Sequence, residues 1–319
     1  FADIHPESLC IDPVDIEKKI TKKTKAIMVV HLFGHPADMD GIMRVATKHH
    51  IKVIEDVSHA QGGLYKSKLL GTIGDVGAFS CMAFKSFSIG EGGVMITNND
   101  EINHRAVSFG FYERTDNKSN YFKSDDSSVS KPTFQYPGIP LGGYKFRLNQ
   151  TCAAMGRVQL KYYHERCAEI RKAMNYFWDI LKDTPGLRPH RINEKEGSNM
   201  GGWYSPVGHY KSEELGGLDI AAFVKAVNSE GVYCNQAPYP LPLHLHPGIS
   251  QADIYGHGMP TYQFNQNGVT RTTQPSLPFT ENITIKAFTI PWFKHYTPAI
   301  IETYANAYKK VAKNWKDLI

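Results

Sequence analysis

The chain has 319 residues, 41% of them hydrophobic, which is enough to fill more than one core of ordinary size. Its 36 Lys and Arg are scattered among 31 Asp and Glu for a net charge of +5, so no basic stripe marks a nucleic-acid partner. No apolar run approaches the ~18 residues of a membrane span, and no signal peptide is expected. The five cysteines (Cys10, Cys81, Cys152, Cys167, Cys234) form no CxxC pair and read as thiols kept reduced in the cytoplasm.

Phe1-Ala2-Asp3-Ile4 begins the chain without Met and reads as part of a folded element, so a fragment of a longer protein is expected. Residues 26–30 are a short apolar run suited to a buried parallel strand. Asp38 is placed to cap a helix on which Met39, Ile42, Met43 and Ala46 share one face. Val53-Ile54-Glu55 follows as a second strand ending at Asp56, which completes a βαβ unit and predicts an α/β fold with a parallel sheet. Residues 77–80 and 94–97 read as further strands, separated by the turn Gly90-Glu91-Gly92-Gly93. The stretch 116–143, rich in Ser, Asp, Lys, Pro and Gly, reads as a long functional loop or an interface arm. From 149 to about 181 apolar residues recur at helical spacing until Pro185-Gly186 stops them. The domain boundary is expected inside this helix, giving a large domain over 1–165 and a smaller α+β domain over 166–319. A closing helix is predicted from Pro298 to about Trp315.

Several side chains in this frame carry chemistry. Lys85, with Phe84, Ala83 and Met82 before it and the glycine turn after it, has unusually apolar company for a lysine. Desolvation lowers an amine's pKa toward the free base that attacks an aldehyde. Asp56 is a carboxylate at a strand end, able to pair with a cationic ring nitrogen or to cap a helix. His59 is placed to lie against such a ring or to pack as an ordinary histidine, and Ser80 to bind a phosphate or to close its strand. His244 and His246 would share a face of an extended stretch, lining substrate or core; with no third ligand evident, no metal is expected. Phe288-Thr289-Ile290-Pro291-Trp292-Phe293 reads as core of the smaller domain.

Ile54-Glu55-Asp56 with His59-Ala60, then Gly74-Asp75-Val76-Gly77-Ala78-Phe79-Ser80, then Lys85 and Gly90-Glu91-Gly92-Gly93 resemble the DegT/StrS family of sugar aminotransferases. The resemblance extends through Val30-His31-Leu32-Phe33-Gly34-His35-Pro36, Gly143-Tyr144-Lys145-Phe146-Arg147 and Pro242-Leu243-His244-Leu245, and so covers nearly the whole chain. It implies the aspartate aminotransferase fold: a large domain with a mixed, mostly parallel sheet and a smaller C-terminal α+β domain. The implied cofactor is pyridoxal 5'-phosphate, with Lys85 as its covalent anchor, Asp56 at the pyridine nitrogen, His59 against the ring and Ser80 on the phosphate.

Lys145 stands where the family has an Asn that reaches the phosphate in a neighbouring subunit, which implies a homodimer with shared sites. His31, Arg147 and His244 are the expected substrate contacts. The implied reaction is ping-pong transfer of an amino group from glutamate or glutamine to a nucleotide-linked keto-sugar or a cyclitol. Family dehydratases carry His at the lysine position, so Lys85 favours the aminotransferase. Phe1-Ala2-Asp3-Ile4 already resembles a strand well inside the family's large domain, so the family's N-terminal phosphate-binding segment is not found upstream of it, which keeps a non-catalytic regulator or scaffold as the alternative.

Overall fold

The computed structural model describes residues 1–110, 144–236, 241–258 and 276–319, so the long polar stretch 116–143 lies outside the described residues. Helix α1 (Pro13–Lys19) starts where Asp12 accepts from the Val14 N–H and Pro13 presets the first turn. Strand β1 (Ala26–Val30) leads through a short turn into α2 (Met39–His49), where Asp38 Oδ1 accepts from the Gly41 N–H at 3.0 Å as the expected cap. Strand β2 (Lys52–Asp56) then runs parallel to β1, pairing Ala26 with Lys52 and Val30 with Asp56. A small hairpin of β3 (Leu64–Tyr65) and β4 (Lys68–Leu69) precedes β5 (Val76–Ser80), which is parallel to β2. Strand β6 (Gly93–Ile96) returns antiparallel to β5 and is followed by α3 (Asp100–Gly110).

The sheet order is β1-β2-β5-β6. Since β1, β2 and β5 run the same way, the chain leaves Val30, Asp56 and Ser80 at one edge of the sheet, where open α/β sheets bind ligands. Ile27, Val29, Val53, Met39, Ile42 and Leu70 form the core beneath.

Helix α4 (Gln150–Ile180) begins where the Asn149 side chain accepts from the Thr151 and Cys152 N–H groups. It is followed by β7 (Leu187–Pro189), β8 (Val207–Tyr210), α5 (Ile220–Ser229), β9 (Asn235–Gln236), α6 (Pro247–Ser250), α7 (Pro278–Glu281), β10 (Ala287–Thr289) and α8 (Pro298–Lys313). The second sheet, β7-β8-β10-β9, is antiparallel throughout. Its core is aromatic: Phe177, Trp178, Phe223, Phe288 and Tyr308 are all buried, with Phe177 edge-on to Tyr308 at 5.6 Å. Phe288 and Phe293 thus take the core role read from the sequence. The first half of α4 touches the parallel-sheet side through Tyr163, and its second half, from Ile170 onward, packs in the aromatic core.

Two local expectations change. Residues 1–4 are not a strand: Ile4 makes a single bridge to Ile11, and the chain reverses through Leu9 at φ 57°. Leu243–Leu245 is a 3-10 turn leading into α6, so His244 and His246 do not share the face of an extended stretch. No described helix is long and apolar enough to cross a membrane.

Candidate active site

Lys85 sits on a loop whose neck is closed by the Ile89 N–H donating to the Cys81 carbonyl and the Cys81 N–H donating to the Gly92 carbonyl, both at 2.9 Å. Gly90 and Gly92 turn the chain back at φ 88° and 153°, and a Cβ on Gly92 would come within 2.7 Å of the Ile89 and Leu148 side chains. The glycines therefore shape the lysine loop. Gln61 is the side chain that fastens this loop, and the sequence reading missed it. Its amide nitrogen donates to the Ser80 carbonyl at 2.6 Å. Its amide oxygen accepts from the Ser86 hydroxyl at 2.8 Å and the Phe87 N–H at 2.9 Å. Tyr163 of α4 completes the network, its hydroxyl lying 2.7 Å from Ser86 Oγ and donating to the Gln61 carbonyl at 3.0 Å. Both residues flanking the lysine on its C-terminal side are thus tied down, while Lys85 itself stays half-buried.

The Lys85 ammonium lies 4.1 Å from the centroid of the Tyr204 ring. Burial lowers its pKa, and the Asp56 charge partly offsets this. Asp56 ends β2; its Oδ1 accepts from the Ser58 N–H at 3.0 Å, an Asx turn rather than a helix cap. Among the described residues its Oδ2 has no hydrogen-bond partner.

His59 is buried three residues on. Its Nδ1 accepts from the Phe33 N–H at 3.3 Å, so the neutral ring carries its proton on Nε2. Burial, reinforced by the Lys85 charge, pushes its pKa down to about 4 against an opposing pull from Asp56. Ser80 ends β5, where its N–H donates to Ser58 Oγ at 3.1 Å and its own hydroxyl accepts a long 3.4 Å bond from Met82 N. Lys85, Asp56, His59 and Ser80 are therefore brought to one edge of one sheet.

Beneath them lies a buried support. Glu55 alternates with Asp56 on β2 and so points inward, where it is 0% exposed. Its Oε1 accepts from the Ile73 and Gly74 N–H groups at 2.8 and 2.6 Å, and its Oε2 from the Gly71 N–H at 2.8 Å. His31 Nε2 donates to the same Oε2 at 3.1 Å while its Nδ1 accepts from the Ala37 N–H. Burial would raise the Glu55 pKa, but the bonds from His31, Gly74 and Gly71 outweigh it and hold the carboxyl below its ordinary value.

This geometry corrects two expected substrate contacts. His31 is fully buried with both ring nitrogens committed, so it supports the strand ends instead of facing the cleft. His244 is 3% exposed and bound through Nε2 to Glu281 Oε1 at 3.0 Å, which ties its turn to α7. Lys145 and Arg147 lie exposed on the segment that leads into α4. Among the described residues no cluster of His, Cys, Asp or Glu is placed to hold a metal.

A half-buried amine, a carboxylate oxygen left open at a strand end, a neutral imidazole with a free N–H and two serine hydroxyls (Ser58, Ser80) suit a ligand with an aldehyde, a basic ring nitrogen and a phosphate. The donor set fits pyridoxal phosphate.

Fold and site together define a protein of the aspartate aminotransferase fold with a lysine at the carboxyl edge of its parallel sheet. The aminotransferase from Psychrobacter cryohalolentis superposes with a TM-score of 0.77 at 24% identity, over 99% of this chain and 75% of that one. The chain belongs to the DegT/DnrJ/EryC1/StrS aminotransferase family, whose model matches residues 1–307. GDP-perosamine synthase of Escherichia coli O157:H7 is 37% identical over 50% of this chain and 40% of its own length. L-glutamine:2-deoxy-scyllo-inosose aminotransferase of Micromonospora echinospora is 28% identical over 81% of this chain and 62% of its own. The chain spans at most 64% of the length of these and similar curated relatives.

Proposed function

We propose that the chain acts as a pyridoxal phosphate-dependent aminotransferase, moving an amino group from glutamate or glutamine to a nucleotide-linked keto-sugar or a cyclitol. The observation that carries this reading is the Lys85 amine, half-buried and coupled to Asp56 and His59. Pyridoxal phosphate supplies, when bound, an aldehyde that takes up amines and a protonated ring that accepts the electron pair of a broken C–H bond. Lys85 would anchor the cofactor and, as a free amine, would be the group that takes up and returns the proton. Asp56 would hold the ring proton through Oδ2. His59 would lie against the ring, and its depressed pKa keeps it neutral at pH 7.

Ser58 and Ser80 would offer hydroxyls to the phosphate. Arg147 is assigned to the phosphates of a nucleotide-linked substrate, and Lys145 to the cofactor phosphate of a second copy in a homodimer with shared sites. The names of the two relatives, one a GDP-sugar synthase and one a glutamine-dependent cyclitol aminotransferase, support this substrate class. The reading also assigns a large domain to 1–165, a small domain to 166–319, and a cytoplasmic location.

Borohydride reduction followed by peptide mapping tests the reading. The protein loaded with pyridoxal phosphate should carry the label on Lys85, and Lys85→Ala should lose both label and transamination while keeping its circular dichroism. A label on another lysine refutes the assignment.

A further inference from the structure

Tyr204 comes from the far side of α4, yet its ring meets the Lys85 ammonium at 4.1 Å, His59 edge-on at 4.7 Å and Trp292 at 5.4 Å. Its backbone is pinned. The Tyr204 N–H donates to the His59 carbonyl at 3.2 Å, and the Trp292 indole N–H donates to the Gly202 carbonyl at 3.1 Å. The residues on either side, Trp203 and Ser205, are held at φ 49° and 54°, where side-chain-bearing residues stay only if their surroundings impose it. A close approach below imposes part of it: a Cβ on Gly34 would stand 3.0 Å from Trp203 Cα, so this segment is pressed onto the turn after β1. Two unfavourable backbone conformations thus bracket one aromatic ring and deliver its face to one amine.

The titratable groups facing that amine are Asp56, which attracts its positive charge, and His59, which is neutral. The face of an aromatic ring is electron-rich and attracts an ammonium, most strongly where water is partly excluded.

We propose that Tyr204 is the positioning residue for Lys85, its ring face cradling the free ammonium against His59 whenever the lysine is not bonded to the cofactor. The proposal rests on Lys85 being the cofactor anchor, and it assigns the work to the ring and none to the hydroxyl. A lysine released during the reaction is then returned to one place, ready to move a proton, instead of sweeping the cleft on four rotatable bonds.

The test is competitive acetylation of the cofactor-free protein across a range of pH, with Lys85 modification quantified by mass spectrometry. Tyr204→Leu should lower the pH of half-modification by about 0.4 to 1.4, because the neutral amine no longer competes with a cradled cation. Tyr204→Phe keeps the ring and should stay within about 0.2 of the parent. No shift in Tyr204→Leu, or an equal shift in Tyr204→Phe, overturns the proposal. If the leucine variant fails to fold, Tyr204→Trp decides the matter: its stronger ring face should raise the half-modification pH, and no rise overturns the cradle. The measurement needs no cofactor, so a wrong anchor assignment is read separately by borohydride trapping.

Discussion

Replacing Glu55 with Gln changes one oxygen to an NH2 in a cavity built for a carboxylate. Whichever way the amide turns, the NH2 faces two donors: Ile73 and Gly74 N–H on one side, Gly71 N–H and His31 Nε2 on the other. A tautomer change at His31 gives no relief, since it would set a proton on Nδ1 against the Ala37 N–H. Two hydrogen bonds to a charged group are lost, each worth about 1.5–3 kcal/mol, and the relief of no longer burying a carboxylate offsets part of this. The expected net destabilisation is about 2–4 kcal/mol.

Urea unfolding at pH 7.5, followed by tryptophan fluorescence and circular dichroism, should place the midpoint about 1–2 M lower. The pH dependence adds a second signature. The folded carboxyl lies below its ordinary value of 4.5, so its contribution is fully present above that pH and is lost as the pH falls through the lower folded value. The gap between the parent and the variant should therefore narrow on acidification. A difference under about 0.5 kcal/mol at pH 7.5, or a gap that does not narrow, refutes the account.

Asp56→Ala should still bind cofactor but lose the half-reaction with the amino donor by about 100-fold or more, read as a single-turnover absorbance change; a near-normal rate would demote Asp56 to a turn residue. Gln61→Leu leaves the Ser80 carbonyl and the Phe87 N–H without their buried partner. Amide exchange across 81–90 should accelerate by about 10-fold or more while β1 and β2 stay protected, and unchanged exchange would show that the loop holds itself. Lys145→Glu should weaken cofactor binding. Mixed with Lys85→Ala, it should restore roughly a quarter of parent activity through heterodimers that pair both intact residues in one site. No recovery after verified subunit exchange would place Lys145 outside the partner's site.

What could be read from the sequence were the features set by neighbours in the chain. The Asp38 cap, the 149–181 helix and the strand end at Asp56 each follow from spacing within a few residues, and each stands where expected. The support layer was less visible, because its partners lie 16 to 25 residues or more apart. A signal was present for Glu55: it shares a face with Val53 on a strand whose inward face is apolar, so a charge there had to be buried with partners. Gln61 and Tyr204 gave no such sign, since a glutamine after an alanine and a tyrosine after a tryptophan have no period to violate. The left-handed backbone at Trp203 and Ser205 was invisible for the same reason. His31 is an expected substrate contact in the sequence, and only the Ala37 and Glu55 contacts reveal that it faces inward.

Helix α4 runs unbroken over 31 residues, with Tyr163 fixed to the lysine loop and Ile170, Phe177 and Trp178 fixed in the aromatic core. At 1.5 Å and about 100° per residue it behaves as a keyed shaft between two sockets. Inserting or deleting one residue between Tyr163 and Ile170 would turn everything downstream by about 100°, and a change of seven residues, which brings the phase back to within about 20°, would still displace the aromatic core by about 10 Å along the axis. The connection between the two cores is thus fixed in length as tightly as a catalytic side chain is fixed in identity. A change in chain length is therefore borne by the loops, while this segment admits only substitution.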